Sequence, residues 1–304
     1  MITQPTVFVL GAGASRHLDF PCGKELKLKI LEEIKAPGSL LRTSLRDSDM
    51  DEDQIDLFAK SLERSPVPSI DWFLQNQTQF APIGKVAITA ILRPIENLES
   101  LFDGRRAENW YNFLFEQMSR NCKFEDFPNN QVSFITFNYD RSLEAFIIEA
   151  LKHSYGRKYD EVFGVYQRLK IIHMHGSFGA FPLNCEPTYG MTLGSSASGL
   201  VRAMARTLKI IHDELNQENL TLAQDLIKNA FRVLFLGFGF HEMNMGRLYP
   251  GPQRDARLMG MSNNRWGTAR GLSKVEKSSI NSQFGVDLFD TDCETFLRDE
   301  INLT

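Results

Sequence analysis

Two polar side chains, Asn138 and His175, each follow a short run of apolar residues. A carboxamide carries a hydrogen-bond donor and an acceptor, so Asn138 suits a site that positions a hydroxyl group or a water molecule. A histidine titrates near neutral pH and can accept a proton, typically worth about 10²–10⁴-fold in rate. Asp140 adds a carboxylate that can favour a nearby developing cation. These residue types predict a reaction in which a side chain accepts a proton and positive charge develops on the substrate.

A segment of small residues near the N-terminus, Gly11–Ser15, follows the apolar run 7–10. The run predicts a buried, parallel strand, and the two glycines allow a sharp turn and close approach of a ligand to the main chain. A helix starting here would bind an anion such as a diphosphate at its N-terminus. The usual dinucleotide fingerprint is incomplete, because Arg16 replaces the third glycine and Glu32 and Glu33 lie in a helical pattern. A plain dehydrogenase is therefore disfavoured.

The elements that must position these residues alternate between strand and helix patterns. The predicted strands are 7–10, 132–137, 170–174 and 231–236, with weaker ones at 257–261 and 286–289. Alternation of this kind predicts an α/β fold with a doubly wound, mostly parallel, Rossmann-like sheet of about six strands. Ligands bind such sheets beyond the carboxyl ends of the strands. We therefore expect Gly11, Asn138, His175 and Gly237 to converge on one crevice.

Residues 40–125 carry helical patterns and almost no strand pattern, so we expect a helical insertion within a single domain spanning residues 1–304. Ser69 is a predicted helix cap, and Pro94 should kink or break the helix that contains it. Further along the chain, helices are predicted at 141–152, at 198–216, at 222–230 after a Thr221 cap, and at 293–301 after an Asp292 cap.

Composition excludes several classes of function. The formal net charge of −4 gives no general attraction to nucleic acid or to an anionic membrane surface. We find no basic segment followed by a long apolar run, so neither a signal peptide nor a membrane span is expected. The four cysteines, Cys22, Cys122, Cys185 and Cys293, are scattered. Their spacing predicts a reduced, cytoplasmic protein without a disulfide framework or a four-cysteine zinc module.

Taken in order, these segments resemble the sirtuin-like family, specifically its metal-free branch of NAD hydrolases. The matching segments, which follow the family order over nearly the whole chain, are Gly11-Ala12-Gly13-Ala14-Ser15, Phe20-Pro21, Thr136-Phe137-Asn138-Tyr139-Asp140, His173-Met174-His175-Gly176-Ser177, Leu236-Gly237-Phe238-Gly239-Phe240 and then Asn244. The resemblance implies that Asn138 and His175 are catalytic and that Asp140 shapes the nicotinamide-ribose pocket. The NAD contacts that it implies are Gly11, Ala12, Gly13, Ser15, Phe20, Pro21, Gly237, Phe238 and Gly239.

The chain departs from the deacylating sirtuins at two places. Those enzymes carry paired zinc cysteines after the histidine, where this chain has only Cys185, and an Asp-Phe-Arg where this chain has Cys22-Gly23-Lys24. The resemblance thus implies hydrolysis of NAD to nicotinamide and ADP-ribose without zinc, in an NAD-depleting effector of anti-phage defence. It also implies a homo-oligomer and a separate partner, either a sensor or an ATPase or nuclease.

Other functions and simpler structural roles stay open at this point. The same bond can be broken by an ADP-ribosyltransferase, and a nucleotide-binding subunit docked on an ATPase or nuclease needs no turnover. Asn138 and Asp140 can each cap the following helix, and Phe238 and Phe240 can belong to the core.

Histidine, cysteine and arginine residues near these motifs also have more than one reading. His173 and His175 share one face of a strand, which permits a metal site with His241 or Glu242 as third ligand; alternatively His173 is a satisfied, partly buried histidine. In the loop that follows Gly11–Ser15, Cys22 can be a reactive nucleophile. Arg16 can bind a phosphate or lie at the surface.

Overall fold

The computed structural model describes residues 1–104, 109–179, 198–210, 213–250 and 264–303, and its centre is a parallel sheet of six strands in the order β3-β2-β1-β4-β5-β6. The strands are β1 Thr6–Leu10, β2 Val132–Thr136, β3 Lys170–His173, β4 Arg232–Leu236, β5 Asn264–Thr268 and β6 Asp287–Phe289. Every pairing is parallel. This order is that of a doubly wound Rossmann fold, so the predicted fold class is confirmed.

Both faces of the sheet are covered. Along β1, Phe8 and Leu10 join one buried cluster, and Val7 and Val9 join a second cluster on the opposite face. Successive side chains of a strand point to opposite faces, so burial on both faces accounts for the unbroken apolar run at 7–10. In register, Leu10 lies between Thr136 and Leu236. The loops that follow these three strands therefore begin at the same edge of the sheet.

The helices of the described residues lie between and after the strands. They are α1 Lys24–Lys35, α2 Leu40–Arg46, α3 Glu52–Arg64, α4 Ile70–Asn76, α5 Ala81–Leu92, α6 Leu98–Leu101, α7 Trp110–Ser119, α8 Ser142–Tyr155, α9 Tyr159–Tyr166, α10 Ser198–Ala205, α11 Gln217–Lys228, α12 Glu242–Leu248, α13 Lys274–Phe284 and α14 Cys293–Thr295. Short 3₁₀ helices occur at Ala12–Leu18, Thr78–Phe80, Arg93–Ile95 and Phe124–Asn129, and a π-helical turn at Phe296–Glu300. Across the described ranges, we see no helix with the length and apolarity that a bilayer span requires.

Residues 40–104 and 109–125 contain helices and loops but no strand, as their sequence pattern predicts. Ser69 accepts a hydrogen bond from the Trp72 N–H and caps α4, as expected. Pro94 ends α5, which gives way to a 3₁₀ turn at Arg93–Ile95. Apolar side chains of this block share one buried cluster with a face of the sheet. The division of the chain into a domain and an insertion remains a prediction.

Three predicted helices have different ends in the structure. The helix predicted at 198–216 is wrong in length, because α10 ends at Ala205. Thr221 lies inside α11, whose cap is instead Asn216, accepting from the N–H groups of Glu218 and Asn219. Asp292 caps α14 as predicted, but α14 ends at Thr295 and the chain continues as a π-helical turn at Phe296–Glu300.

The fifth strand was missed by the sequence pattern, and the strand predicted at 257–261 lies outside the described residues. Polar residues and a glycine interrupt any alternation in β5, Asn264–Thr268. Its buried Arg265 donates to the Phe284 carbonyl at 2.9 Å and stacks over the Tyr249 ring. Those partners come from other elements, so only the tertiary structure makes this polar strand stable.

Candidate functional site

The loops that follow β1 and β4 touch through their main chains. The Gly11 N–H donates to Leu236 O at 3.0 Å, and the Gly13 N–H donates to Gly237 O at 2.9 Å. A Cβ atom at Gly237, whose φ is +54°, would lie 2.1 Å from Ala14 N. Glycine is required here for contact between two loops of the protein. A helix does begin just after Gly11, as the diphosphate prediction requires, but it is a short 3₁₀ segment, Ala12–Leu18.

Asn138, just beyond the end of β2, is held through its main chain and its side-chain nitrogen. Its N–H donates to Thr136 Oγ1 at 3.0 Å, and its Nδ2 donates to Gly11 O at 2.9 Å and to Ser15 Oγ at 3.1 Å. Because a carbonyl oxygen only accepts, the contact with Gly11 identifies the side-chain nitrogen. Within the described part of the chain, Oδ1 makes no hydrogen bond. Asn138 thus presents an open acceptor in a fixed position.

Asp140 acts on Asn138 through Ser15. The Ser15 hydroxyl donates to Asp140 Oδ2 at 2.9 Å, which leaves its oxygen free to accept from Asn138 Nδ2. The other oxygen of Asp140 accepts from the Ser142 N–H at 3.2 Å, at the start of α8. Burial raises the pKa of Asp140. A buried carboxylate with these donors orients its neighbours.

His173, at the end of β3, forms a buried ion pair beneath Asn138. Its Nδ1 donates to Asn138 O at 3.1 Å, and its Nε2 donates to Glu144 Oε1 at 2.6 Å. Both nitrogens face acceptors, so the ring is an imidazolium. Burial lowers the pKa of His173, but the Glu144 carboxylate and the Asn138 carbonyl outweigh it and raise the pKa overall.

His175 lies in the turn after β3, where its ring centroid is 5.2 Å from that of Phe137 and 6.3 Å from that of Tyr139. Its Nε2 is 3.4 Å from Arg247 Nη1. Burial and the Arg247 guanidinium lower the pKa of His175 to about 4. The imidazole is therefore neutral near pH 7. Nδ1 has no hydrogen-bond partner among the described residues and is not sealed off by them.

A buried ion cluster holds the segment that carries Asn138 against the helical block. Glu96 accepts from the Arg141 N–H at 2.6 Å and from Arg141 Nη2 at 2.8 Å, and Arg93 Nη1 lies 3.2 Å from the same carboxylate. All three side chains are almost completely buried. The cluster ties the turn at 93–96 to the start of α8 and so limits movement of the loop before it.

Two cavities meet at this edge of the sheet. One, here called the Asn138 cavity, has a volume of about 300 Å³ and is lined by both Asn138 and His175. The other, the Trp110 cavity, has a volume of about 670 Å³ and lies beyond the ends of β4, β5 and β6. The two share five lining residues, here called the neck: Ala12, Cys22, Gly23, Phe238 and Gly239. Two adjacent cavities that share a boundary of mostly small residues suit a ligand with two bulky ends and a slender middle.

The sequence-predicted site residues all border these cavities. Those on the Asn138 cavity are Gly11, Ala12, Ser15, Phe20, Pro21, Asn138, Asp140, His175, Phe238 and Gly239. Gly13 and Gly237 line the Trp110 cavity. The expected convergence of loops from separate strands is therefore observed, while the chemical role of each residue remains a prediction.

Three further polar residues belong to the site. Asp71, on α4, lines the Asn138 cavity, and burial raises its pKa. Asn244, on α12, lines the same cavity, and its Oδ1 is buried without a partner in the described residues. Arg247, also on α12, contacts His175. Asn244 had a sequence signal through the motif it follows. Asp71 and Arg247 had none, because only tertiary packing brings their helices here.

The simpler structural roles divide between these residues. Asn138 does not cap α8, since its amide binds Gly11 and Ser15, whereas Asp140 accepts from the first turn of α8. Phe238 and Phe240 are both buried and both line the Asn138 cavity, so they are core and cavity wall at once.

The side-chain contacts disfavour both a metal site at the histidines and a nucleophilic role for Cys22. Both nitrogens of His173 are engaged, and His241 Nδ1 accepts from the Met243 N–H at the start of α12. Burial raises the pKa of the Cys22 thiol, which disfavours a nucleophilic thiolate. Arg16 lies 2.5 Å from Glu25 in an exposed ion pair at the rim of the Trp110 cavity.

No protein-family model matches the chain, and no curated protein matches its sequence. Similar solved structures include Sir2 bound to the inhibitor EX-527, 2′-O-acetyl-ADP-ribose and a deacetylated p53 peptide, at 13% identity and a TM-score of 0.39, covering 96% of this chain and 90% of that one. Others are Sir2Tm bound to a propionylated peptide, at 14% and 0.39, and Sir2 with a p53 peptide and NAD+, at 14% and 0.38, both with the same coverage. At these values we draw neither family membership nor activity from the likeness.

Proposed function

We propose that the protein is an NAD glycohydrolase that cleaves the nicotinamide–ribose bond of NAD. One observation carries the proposal: the fixed, open acceptor of Asn138 and the neutral ring of His175 line one cavity, which shares the neck residues with a second, adjacent cavity. NAD has matching parts, namely nicotinamide riboside, a slender diphosphate and adenosine.

NAD fits the polar groups on the walls as well as the two volumes. The nicotinamide-riboside end belongs in the Asn138 cavity, where the orphaned Asn244 Oδ1 can accept from a hydroxyl or an amide group. The diphosphate belongs at the neck, where Ala12 and Gly239 add little bulk. Adenosine belongs in the Trp110 cavity, which is the larger of the two and is partly aromatic.

The reaction breaks the bond between ribose C1′ and the nicotinamide nitrogen. The electron pair of that bond stays on nitrogen, nicotinamide leaves neutral, and the sugar carbon becomes cationic. One water adds to C1′ and releases a proton to solvent, so NAD and water give nicotinamide, ADP-ribose and a proton. The site must hold the ribose and admit this one water.

Each side chain has a role that suits this chemistry. Asn138 Oδ1 accepts from a ribose hydroxyl or from the attacking water, and the link from Ser15 to Asp140 keeps it in place. His175 contacts the ribose from the other side of the cavity. The charge of Asp71, when ionised, favours the cation that develops on the sugar.

The first experiment incubates the purified protein with NAD and measures nicotinamide and ADP-ribose. We expect Asn138→Ala and His175→Ala to keep the fold, judged by circular dichroism, and to lose about 100-fold or more in turnover. His153→Ala is the matched control, because that ring is 72% exposed on α8. Unchanged turnover in either site variant would overturn the assignment.

The same experiment separates the alternative functions. Label transferred from NAD to a macromolecule, without free ADP-ribose, indicates an ADP-ribosyltransferase. Tight binding of NAD without turnover, even with a partner present, indicates a nucleotide-binding subunit docked on an ATPase or nuclease. The homo-oligomer, the separate partner, the cytoplasmic location and the anti-phage role remain predictions.

A further inference from the structure

We infer that His175 acts on the substrate as a hydrogen-bond donor through Nδ1–H, not as a proton acceptor, and that Arg247 is the positioning residue that sets this form of the ring. The inference rests on the proposed NAD hydrolysis. It differs from the proton-accepting role that the residue type alone predicts.

The contact between the two side chains determines where the imidazole proton lies. Arg247 Nη1 is 3.4 Å from His175 Nε2. A guanidinium has donors only and does not lose its proton in proteins, so the atom that faces it must present a lone pair. A proton on Nε2 would set two N–H groups against each other. A neutral His175 therefore carries its single proton on Nδ1.

Arg247 is itself held in place from two directions. Its Nη2 donates to the Asp213 main-chain carbonyl at 3.2 Å. Its helix, α12, is anchored by the buried side chains of Met245 and Leu248. The guanidinium is thus part of the packed structure, and it takes up the Nε2 lone pair that a general base would need.

The other groups around His175 do not restore a positive ring. Asp213 is the nearby carboxylate, and it forms an ion pair with Lys85 at 2.5 Å. Tyr139 donates its hydroxyl proton to the Lys209 carbonyl at 3.0 Å, and burial raises its pKa, so it adds no negative charge beside the ring. Phe137 covers the ring with apolar surface. Burial and Arg247 together keep the pKa of His175 at about 4.

A fixed N–H at Nδ1 suits the proposed chemistry. It can donate to a ribose hydroxyl oxygen or to the attacking water, while Asn138 Oδ1 accepts from the same group. The proton of the water goes to solvent once the C1′–O bond has formed, and His175 begins and ends the cycle in one form. A reaction that proceeds through a sugar cation needs little help from a base at the attacking water.

The first test compares two substitutions that mimic different nitrogens. The nitrogen of Asn in His175→Asn can occupy the place of Nδ1, whereas the longer Gln in His175→Gln places its nitrogen near Nε2. We expect His175→Asn to retain turnover within about tenfold of wild type and His175→Gln to lose about 100-fold or more. Equal loss in both variants would overturn the donor role.

The second test measures the protonation state of the His175 ring directly, without substrate. In ¹⁵N-histidine NMR spectra, we expect His175 to be protonated on Nδ1 and not to titrate between pH 5 and 8. Arg247→Met should raise the pKa of His175 and mix the two tautomers, although burial, the larger cause, still keeps the pKa below its ordinary value; Arg247→Lys should shift the pKa less. A wild-type ring protonated on Nε2 would overturn the inference.

These readouts also separate the inference from the proposed function. If the wild-type protein binds NAD without cleaving it while the NMR spectra show Nδ1–H, the hydrolase proposal fails and the assigned form of His175 stands. If NAD is cleaved but the ring carries its proton on Nε2, only the donor role fails.

Discussion

At the scale of single residues, the site is a set of polar groups whose hydrogen bonds are almost all made inside the protein. Asn138 is bound at its N–H, its carbonyl and its Nδ2, through contacts with three separate segments of the chain. Only Oδ1 is left to meet a ligand. A side chain restrained in this way loses little conformational entropy when substrate binds, which is the physical advantage of preorganisation.

The His173–Glu144 pair should make stability depend on pH. The pKa of His173 is raised in the folded state, so its stabilisation is present below the unfolded value of about 6.5 and is lost as pH rises through the folded value. We expect the free energy of unfolding in urea to fall as pH increases above about 6.5. Glu144→Gln should remove that slope and lower stability at pH 6 by about 3–5 kcal/mol.

His153→Gln serves as the control for this slope, because its ring is 72% exposed beside Glu149. The slope should persist in that variant. A wild-type protein whose stability does not change between pH 6 and pH 9 would contradict the charged pair.

At the scale of elements, the site depends on how closely the loops after β1 and β4 approach each other. A Cβ atom would lie under 3 Å from the facing main chain at each of three glycines, Gly11, Gly13 and Gly237. Phe240, in the second of these loops, has φ of 50°, a left-handed conformation that costs a bulky residue free energy. Packing of its buried ring holds it there. The second loop is thus tightly constrained by the first.

Gly237 and Gly239, two residues apart in the same loop, provide a matched pair of substitutions that tests this constraint. Gly237→Ala should cost more than about 3 kcal/mol of unfolding free energy, because the methyl group meets the main chain of Gly13 and Ala14 and the left-handed φ is strained. Gly239→Ala should change stability by less than about 1 kcal/mol, because no atom lies within 4 Å of the added carbon. Denaturant unfolding of both variants measures the difference; equal effects would contradict the loop contact.

At the scale of the whole molecule, the ligand space follows from strand order. The sheet changes its direction of winding between β1 and β4, which is the topological switch point where ligands bind folds of this kind. The Asn138 cavity lies on the β2 side of this point, and the Trp110 cavity lies on the β5 side. A dinucleotide spanning both would cross the neck.

A ligand that lacks the cleavable bond should therefore still bind. We expect ADP to raise the melting temperature of wild type and of Asn138→Ala alike, since it occupies the Trp110 cavity and the neck. At an ADP concentration 100 times its dissociation constant, the free energy of unfolding should rise by about 2.7 kcal/mol. Differential scanning fluorimetry over a range of ADP concentrations measures the corresponding rise in melting temperature.

Two tryptophan substitutions control for the position of the ligand. Gly239→Trp fills the neck and should abolish the shift, whereas Gly164→Trp, at an exposed glycine with open space around it on α9, should not. A shift that survives Gly239→Trp would contradict binding across the neck.

Much of the fold was predictable because the signals are local. The strand segments at 7–10, 132–137, 170–174 and 231–236 are rich in apolar residues, as expected for strands of a parallel sheet, and helical patterns separate them. Helix ends were less predictable: α10 stops at Ala205, and Asn216, not Thr221, caps α11. β5 carries no local signal, because contacts of Arg265 with Tyr249 and Phe284 stabilise it.

The amino-acid sequence by itself determined the parallel sheet and the edge at which Asn138, Asp140, His175 and the glycine loop must lie, since strand patterns and the residues after them are properties of neighbouring positions. Only the tertiary structure decided what those side chains do there. The direction of the Asn138 amide depends on Ser15, and the proton of His175 depends on Arg247, 72 residues away along the chain. Hydrogen bonds and charges act across space, and no local pattern encodes which distant helix supplies them.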